Sequence, residues 1–334
     1  MPLEHQTQCT VNTSSNDLTT IQDLISRAEA YALNARAKST IRAYHQDWQQ
    51  FSRWCESRRI TPLPTTTGML ALYVTDQACH LSIATIQRRL AGIVAVHRQL
   101  GLPLDIRNSQ LADVMDGIRR SHGRPAASKR ALTPTELRQA VESLPMTPKG
   151  IRSRALLLLG FSGGLRRSEL CGLDAAPGGT GTGWIKFAAE GIVLALRYSK
   201  ENQDGIHVTE VAVPFGQYKT TCPVDAVQKW LELAGINEGA LFRSILKSGH
   251  ITQHRLGDDA VAQCVKAAAD RIGIDPVDVA AHSLRAGFVT AAALAGRSEY
   301  DIMRHTRHKN GEMVRRYIRP TDLFRSSPAG SVSL

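Results

Sequence analysis

The sequence predicts a mainly α protein of two domains: a helical N-terminal domain, then a mostly helical C-terminal domain carrying one small antiparallel β-sheet. Three observations predict this. Apolar residues recur at helical spacing in several segments between residues 18 and 120. An aperiodic stretch, Ser121-His-Gly-Arg-Pro-Ala-Ala-Ser-Lys-Arg130, interrupts that pattern with Gly, Pro and Ser and with three basic residues and no acidic one. Beyond it, helical patterns give way to strand signals between residues 184 and 213 before helices resume. A chain of 334 residues with 43% hydrophobic content is long enough for two packed cores. Its 5% aromatic content assigns those cores to Leu, Ile, Val and Ala.

Residues 1–18 are rich in Thr, Ser, Asn and Gln and read as a disordered N-terminus. Residues 19–120 form the first predicted domain. From Ser39 to Arg58, Ile41, Tyr44, Trp48, Phe51, Trp54 and Cys55 line one side of a helix, with Arg42, Gln46, Gln49 and Arg53 on the other. Thr65 to His80 and Ser82 to Leu100 repeat the pattern, and Leu111 to Arg120 adds a shorter helix. Arg88 and Arg89 fall on the polar side of the third, away from Ile86, Leu90, Ile93 and Val94. They could touch phosphates or enter a major groove; a solvated basic face is the alternative.

Residues 121–132 read as an interdomain linker whose Arg124, Lys129 and Arg130 suit a strap across a phosphate backbone, although a linker can be basic by chance. Thr133-Pro134-Thr135-Glu136 supplies the N-cap, N1 proline and N3 glutamate of a capping box, so a second domain, residues 133–320, starts there. It opens with helices. Strands are predicted at Trp184 to Phe187, Gly191 to Ser199 and His207 to Val213, with Asp204-Gly205 supporting a hairpin between the last two. Helices follow at Pro223 to Ala234, Leu256 to Ile272, His282 to Ala295, Glu299 to His305 and Gly311 to Ile318. The tail, residues 321–334, is polar except for Leu323 and Phe324, candidates for docking on a neighbouring subunit.

Forty-one Lys and Arg against thirty Asp and Glu give a net charge of +11, which favours a polyanionic partner. The excess is shared: residues 1–130 hold 16 basic and 10 acidic residues, leaving 25 and 20 for the remainder. Cys9, Cys55, Cys79, Cys171, Cys222 and Cys264 form no C-x-x-C pair, so they read as reduced, buried thiols rather than a disulfide framework or zinc module. No segment approaches the roughly 18 uninterrupted apolar residues of a membrane span, and no basic-then-apolar leader opens the sequence. A cytoplasmic protein is expected.

The chemistry concentrates in the second half. Arg166 and Glu169 lie in Gly-Gly-Leu-Arg-Arg-Ser-Glu-Leu, and His282 and Arg285 in His-Ser-Leu-Arg. His308 stands nine positions before Tyr317, and Lys200 lies between the clusters. Cutting a phosphodiester without a metal requires charge on two nonbridging oxygens to be offset, an in-line nucleophile, and a proton for the leaving oxygen. Arginine meets the first need with a permanently charged planar fork. The i, i+3 spacing puts His282 and Arg285 on one helical face. A tyrosine, with an ordinary pKa near 10, needs its proton removed or its phenolate stabilised by cations. Lys200 at a hairpin end could protonate a leaving 5′ oxygen, His308 could donate to a nonbridging oxygen, and His282 could act as base or donor. His305 and His308 could form half a metal site, but no nearby Cys or carboxylate pair completes it, and no metal is expected.

With these residues in hand, the sequence resembles the tyrosine recombinase (phage integrase) family over about residues 20–320, in a Cre-like two-domain arrangement. Arg166, Lys200, His282, Arg285, His308 and Tyr317 match the family's Arg, Lys, His-x-x-Arg, His or Trp, and Tyr set, and Glu169 matches an acidic position that implies orienting a neighbour. The stretch from Thr85-Ile-Gln-Arg-Arg-Leu90 to His97-Arg-Gln-Leu-Gly-Leu-Pro103 looks like the family's core-binding domain, and residues 133–320 like its catalytic domain. The resemblance implies a DNA breaking-rejoining fold, a clamp around duplex DNA, a 3′-phosphotyrosine intermediate with Tyr317 as nucleophile, and strand exchange in a homotetramer. It implies no metal or nucleotide cofactor. Accessory DNA-bending or directionality proteins are further candidate partners. Two departures stand out: Arg307 precedes His308 where many members have glycine, and the Gly-rich stretch from Pro177 to Gly183 lengthens the path to Lys200, leaving Lys186 as its rival. A type IB topoisomerase and a non-catalytic DNA-binding protein of the same fold are the alternatives.

Overall fold

The computed structural model describes residues 37–123, 129–198 and 205–322, with scattered positions between 21 and 31; the side chains of Lys38 and of residues 318–322 are not described. The chain divides into two compact units, residues 1–127 and 128–334. Lys200, Arg124, Leu323 and Phe324, the predicted disordered residues 1–18, Ser199 at the end of a predicted strand and residues 201–204 of the predicted turn lie outside the described residues.

The first unit is built from α1 (Lys38–Ser57), α2 (Thr67–Gln77), α3 (Ile83–Gln99) and α4 (Ser109–His122). Thr66, Ser82 and Asn108 cap the last three, each side-chain oxygen accepting a backbone N–H of the first turn. Its core is more aromatic than the composition suggests. Phe51, Trp54 and Tyr73 pack with ring centroids 5.1–6.1 Å apart, because few aromatics are available and three of them gather here. Buried His97 accepts the Thr65 N–H at Nε2 (3.1 Å) and donates from Nδ1 to the Ile93 carbonyl (2.9 Å), tying the loop before α2 to α3.

In the second unit, residues 129–132 bond to the 275–283 segment: the Arg130 N–H donates to the Asp278 carbonyl (2.8 Å) and that of Leu132 to the Ser283 carbonyl (3.1 Å). α5 (Pro134–Glu142) then starts with the capping box expected at Thr133 and Glu136. α6 (Pro148–Ser162) carries Leu156-Leu-Leu-Leu159, buried on every side, so it is the central helix of the core. α7 (Arg167–Cys171) leads into a four-stranded sheet ordered β1 (Leu173–Asp174), β2 (Gly183–Ala188), β3 (Gly191–Leu196), β4 (Thr209–Pro214). β1 runs parallel to β2, and the remaining pairs are antiparallel. α8 (Pro223–Ala234) packs on α6 and buries Trp230 completely, its indole N–H donating to the Leu241 carbonyl (2.8 Å). A second sheet, β5 (Arg243–Ile245) with β6 (Ile251–Arg255), precedes α9 (Asp258–Asp270), α10 (His282–Leu294), α11 (Glu299–Thr306) and α12 (Gly311–Asp322).

The sequence pattern therefore missed β1, β5 and β6. They are two to five residues long, and β6 (Ile-Thr-Gln-His-Arg) has no buried position to create alternation. The expectation of uniformly buried thiols also fails, since Cys79 is exposed. Among the described residues no helix is long and apolar enough to cross a membrane.

α10 is held against residues 129–132 at Gly287, where an added Cβ would lie 2.0 Å from the Leu132 carbonyl oxygen, a backbone atom that cannot step aside cheaply. Gly287→Ala is accordingly expected to destabilise the protein by about 1–3 kcal/mol through overpacking, read as a lower melting temperature of the DNA-free protein.

Candidate active site

The site grows from the end of α6. The chain leaves that helix through Gly163 and Gly164; Gly164 has φ +53, and an added Cβ would meet Thr306 Cγ2 at 2.9 Å and Phe288 at 3.4 Å, so conformation and space both require glycine. Arg166 is then the N-cap of α7. Glu169, one turn on, accepts the Arg166 backbone N–H (2.9 Å) and its guanidinium Nη1 (2.8 Å). The far end of this short helix is held by Arg255, whose guanidinium donates to the Cys171 (3.0 Å) and Leu173 (2.8 Å) carbonyls and pairs with Asp174.

Glu169 is 1% exposed and has a second cation, Arg307, whose Nη2 donates to it (2.8 Å). Burial pushes the carboxyl up, but Arg307 first and then Arg166 outweigh it and hold the group below its ordinary value. Arg307 caps α11 in the left-handed conformation, φ 59 and ψ 45. Its carbonyl accepts Arg166 Nη2 (3.2 Å) and its guanidinium reaches the Gly164 carbonyl (3.2 Å). Arg285, 1% exposed on α10, donates to that same Gly164 carbonyl (2.7 Å). The doubt that an arginine before His308 raises about local geometry is answered here: Arg307 adopts the backbone region glycine favours, with its side chain bonded to Glu169, Gly164 and His305.

α12 brings Tyr317 to this cluster. Val314, fully buried against Val289 of α10 and Ile302 of α11, anchors the helix one turn before the tyrosine. The Tyr317 hydroxyl lies 2.5 Å from His282 Nε2. Partial burial of the imidazole, then Arg285 and Arg166, lower the His282 pKa, although the residue as a whole is exposed; burial raises that of Tyr317 against the opposing pull of Arg285 and Arg316. Both shifts favour the neutral forms, a phenol and an imidazole, and in the tautomer with Nε2 unprotonated the phenol donates. His308 is pushed down to about 3, by burial first and then by Arg285, Arg166, His282 and Arg307. Thr306 Oγ1 donates to the Ile302 carbonyl (2.6 Å), leaving its lone pair to accept Nδ1–H of His308 (2.6 Å), so Nε2 of neutral His308 carries no proton.

The residues predicted from sequence divide accordingly. Arg166, Glu169, His282, Arg285, His308 and Tyr317 converge through these contacts. Lys186, on β2, pairs with Glu210 at 3.7 Å and stands near the Trp184 ring. In the first unit, Arg88 pairs with buried Asp47 (3.0 Å) while remaining half-exposed, and Arg89 donates to the Tyr73 hydroxyl (2.9 Å) and Gln77 (2.8 Å). Lys129 donates to the Val277 carbonyl (2.6 Å) and Arg130 pairs with Glu136. Thr306 and Arg307 were missed as site residues; their signal was position, adjacent to His308 at a helix end. Among the described residues no group of three or more His, Cys, Asp or Glu could hold a metal.

The model of the phage integrase family matches residues 130–323, more than half of the chain and every residue of this cluster. The chain belongs to that family. This integrase is 32% identical over 297 residues to an integrase/recombinase xerD homolog of Selenomonas ruminantium, covering 88% of this chain and 85% of that protein. It is 30% identical over 162 residues to the tyrosine recombinase XerC of Myxococcus xanthus, covering 47% and 52%. Its fold is similar to that of a lambda integrase (75–356) dimer bound to a COC′ core site, with TM-score 0.58, 16% identity and 88% and 93% of the two chains covered. It is also similar to the XerH site-specific recombinase bound to palindromic difH substrate in a post-cleavage complex, with TM-score 0.55, 17% identity and 80% and 72% covered. At these identities the structural likeness is one of fold. The integrase is thus a tyrosine recombinase with the mainly helical DNA breaking-rejoining fold.

The depressed His308 value fixes a stability prediction. Its folded pKa lies below the roughly 6.5 of an unfolded histidine, so the unfolded chain binds the extra proton and stability is lost as pH falls from about 6.5 towards 3. His282 and His305 act in the same direction. Denaturant unfolding of the DNA-free protein at pH 7.5 and pH 5 should therefore show a smaller stability difference for His308→Gln than for wild type.

Proposed function

We propose that this integrase cuts and rejoins duplex DNA at a specific site through a 3′-phosphotyrosine, with Tyr317 as nucleophile. The observation that carries the reading is the 2.5 Å contact between the Tyr317 hydroxyl and His282 Nε2 beside two arginines. The phenol oxygen attacks the scissile phosphorus as its proton passes to Nε2 of neutral His282, in the tautomer that carries its proton on Nδ1. Arg166 and Arg285 offset charge on the nonbridging oxygens in a partly buried setting, where a fixed cation acts more strongly than in water. The phosphorus–O5′ bond breaks, and the 5′ oxygen takes a proton from Lys200, with Lys186 as the alternative donor. Attack of a 5′ hydroxyl on the phosphotyrosine reverses the step, and the phosphotyrosyl bond conserves the energy of the cut bond without a cofactor.

His308 has a conditional role in this scheme. With Nδ1–H engaged by Thr306, its Nε2 becomes a donor only when the ring is protonated. An entering phosphodiester brings the negative charge that favours protonation, so His308 donates to a nonbridging oxygen once DNA occupies the site.

The partner is duplex DNA carrying a specific recombination site. The lambda and XerH proteins of similar fold were captured on DNA, and the net charge of +11 suits such a partner. Residues 19–120 act as the core-binding domain, 121–132 as the basic linker and 133–320 as the catalytic domain. Half-exposed Arg88 is the more available of the two α3 arginines, since Arg89 braces Tyr73 and Gln77. The working form is a cytoplasmic homotetramer on DNA, to which accessory DNA-bending or directionality proteins add.

Covalent capture tests the reading. Wild type and Tyr317→Phe are mixed with fragmented, nicked source DNA and denatured, and protein-linked fragments are sequenced. Adducts from wild type alone, concentrated at one sequence, are expected; His282→Ala should form them roughly 100-fold more slowly, the loss typical of a general base. Adducts scattered over all sequences would indicate a topoisomerase instead. Specific binding without adducts would indicate a non-catalytic DNA-binding protein.

A further inference from the structure

Arg307 occupies a backbone conformation that glycine would adopt without strain; for other residues the left-handed region costs on the order of 1 kcal/mol. An arginine there needs a compensating role, and its contacts define one. Through Nη2 it shares the Glu169 carboxylate with Arg166, and through the same nitrogen it shares the Gly164 carbonyl with Arg285. Its own carbonyl accepts Arg166 Nη2, and its nitrogen Nη1 turns back to the His305 carbonyl. The next residue is His308, whose N–H closes onto the Met303 carbonyl (3.1 Å). One side chain therefore bridges α7, the glycine turn after α6 and the end of α11, and touches the immediate supports of both arginines assigned to the phosphate.

We propose that Arg307 is a positioning residue for DNA cleavage, fixing Arg166 through Glu169 and Arg285 through the Gly164 carbonyl. This rests on the reading of Arg166, Arg285 and Tyr317 given above. Without the guanidinium, buried Glu169 keeps Arg166 as its partner but loses its own bond to the end of α11, and the Arg166 Nη2 contact with the residue 307 carbonyl is left to tie the pair there. Glu169 and the Gly164 carbonyl, the supports of Arg166 and Arg285, then lose the side chain that braces them against each other. The phosphate's two clamps are expected to drift in relative position, which slows a step demanding aligned groups and leaves DNA affinity, spread over many phosphate contacts, nearly unchanged.

The test uses the full chain and a nicked duplex bearing the captured site, with single-turnover cleavage measured at saturating protein alongside DNA affinity and melting temperature. Arg307→Gly removes the guanidinium and suits the backbone. It should cleave roughly 10- to 100-fold more slowly with affinity within about twofold of wild type, a factor small against the multi-contact total. Arg307→Lys, which keeps the charge but not the planar fork, should recover part of the rate. The double variant Arg307→Gly with Glu169→Gln should be no slower than the worse single variant, because both act through one network. Cleavage by Arg307→Gly within about twofold of wild type would overturn the proposal, as would a rate loss matched by lost affinity or multiplicative losses in the double variant. If Arg307→Gly does not fold, Arg307→Lys and Glu169→Gln carry the same comparison. Failure of wild type to form any adduct would instead overturn the proposed function, so the two failures are distinguishable.

Discussion

The site depends on one buried carboxylate. Glu169 is removed from water and flanked by two guanidiniums that, without it, would repel each other across the same few ångströms. A buried charge is costly alone and tolerable only when paired and fully bonded. Here the pairing is also architectural, since the partners come from the start of α7 and the end of α11, 141 residues apart in the Arg166 Nη2 contact with the Arg307 carbonyl. Removing either cation would leave a partly compensated charge in the interior. That demand selects one relative placement of the two helices and so fixes where Arg166 and His308 stand.

Around that anchor the site is a concentration of positive charge held in check by protonation. Burial first, and then the neighbouring Arg285 and Arg166, lower the His282 and His308 values, while burial raises that of Tyr317. The reaction proposed above uses neutral His282 as the base and brings a phosphodiester as a further anion beside Glu169. In the proposed reaction the substrate itself changes the protonation preference of His308, so donor function is coupled to occupancy.

Basic residues in the sequence do not translate directly into free positive charge. Arg89 is engaged with Tyr73 and Gln77, Arg88 with Asp47, and Arg130 with Glu136. Lys129 and the Arg130 backbone are bonded to residues 277 and 278, so this end of the basic segment is part of the second unit's packing. These partners neutralise or immobilise charges that a count of Lys and Arg treats alike. What remains for a polyanion is the residue-by-residue surplus, which only contacts can reveal.

Much of this protein was legible in its amino-acid order because the deciding signals are local. The helical stripe around Phe51 and Trp54, the Thr133–Glu136 capping box and the i, i+3 pair His282 and Arg285 all act within a few residues. The candidates Arg166, Glu169, His282, Arg285, His308 and Tyr317 were named from their motifs and from the family resemblance those motifs carry. Strands β1, β5 and β6 were not, because strands of two to five residues take their existence from distant partners. Nor were the roles of Thr306 and Arg307, which follow from what lies across the fold from them. The sequence determined which groups are present and where helices begin; the tertiary structure decided their ionisation, by assigning burial and neighbours, and turned an apparent departure at Arg307 into a link between two helices. Protonation and ion pairing depend on distances in space, and those exist only once α7, α10, α11 and α12 have packed.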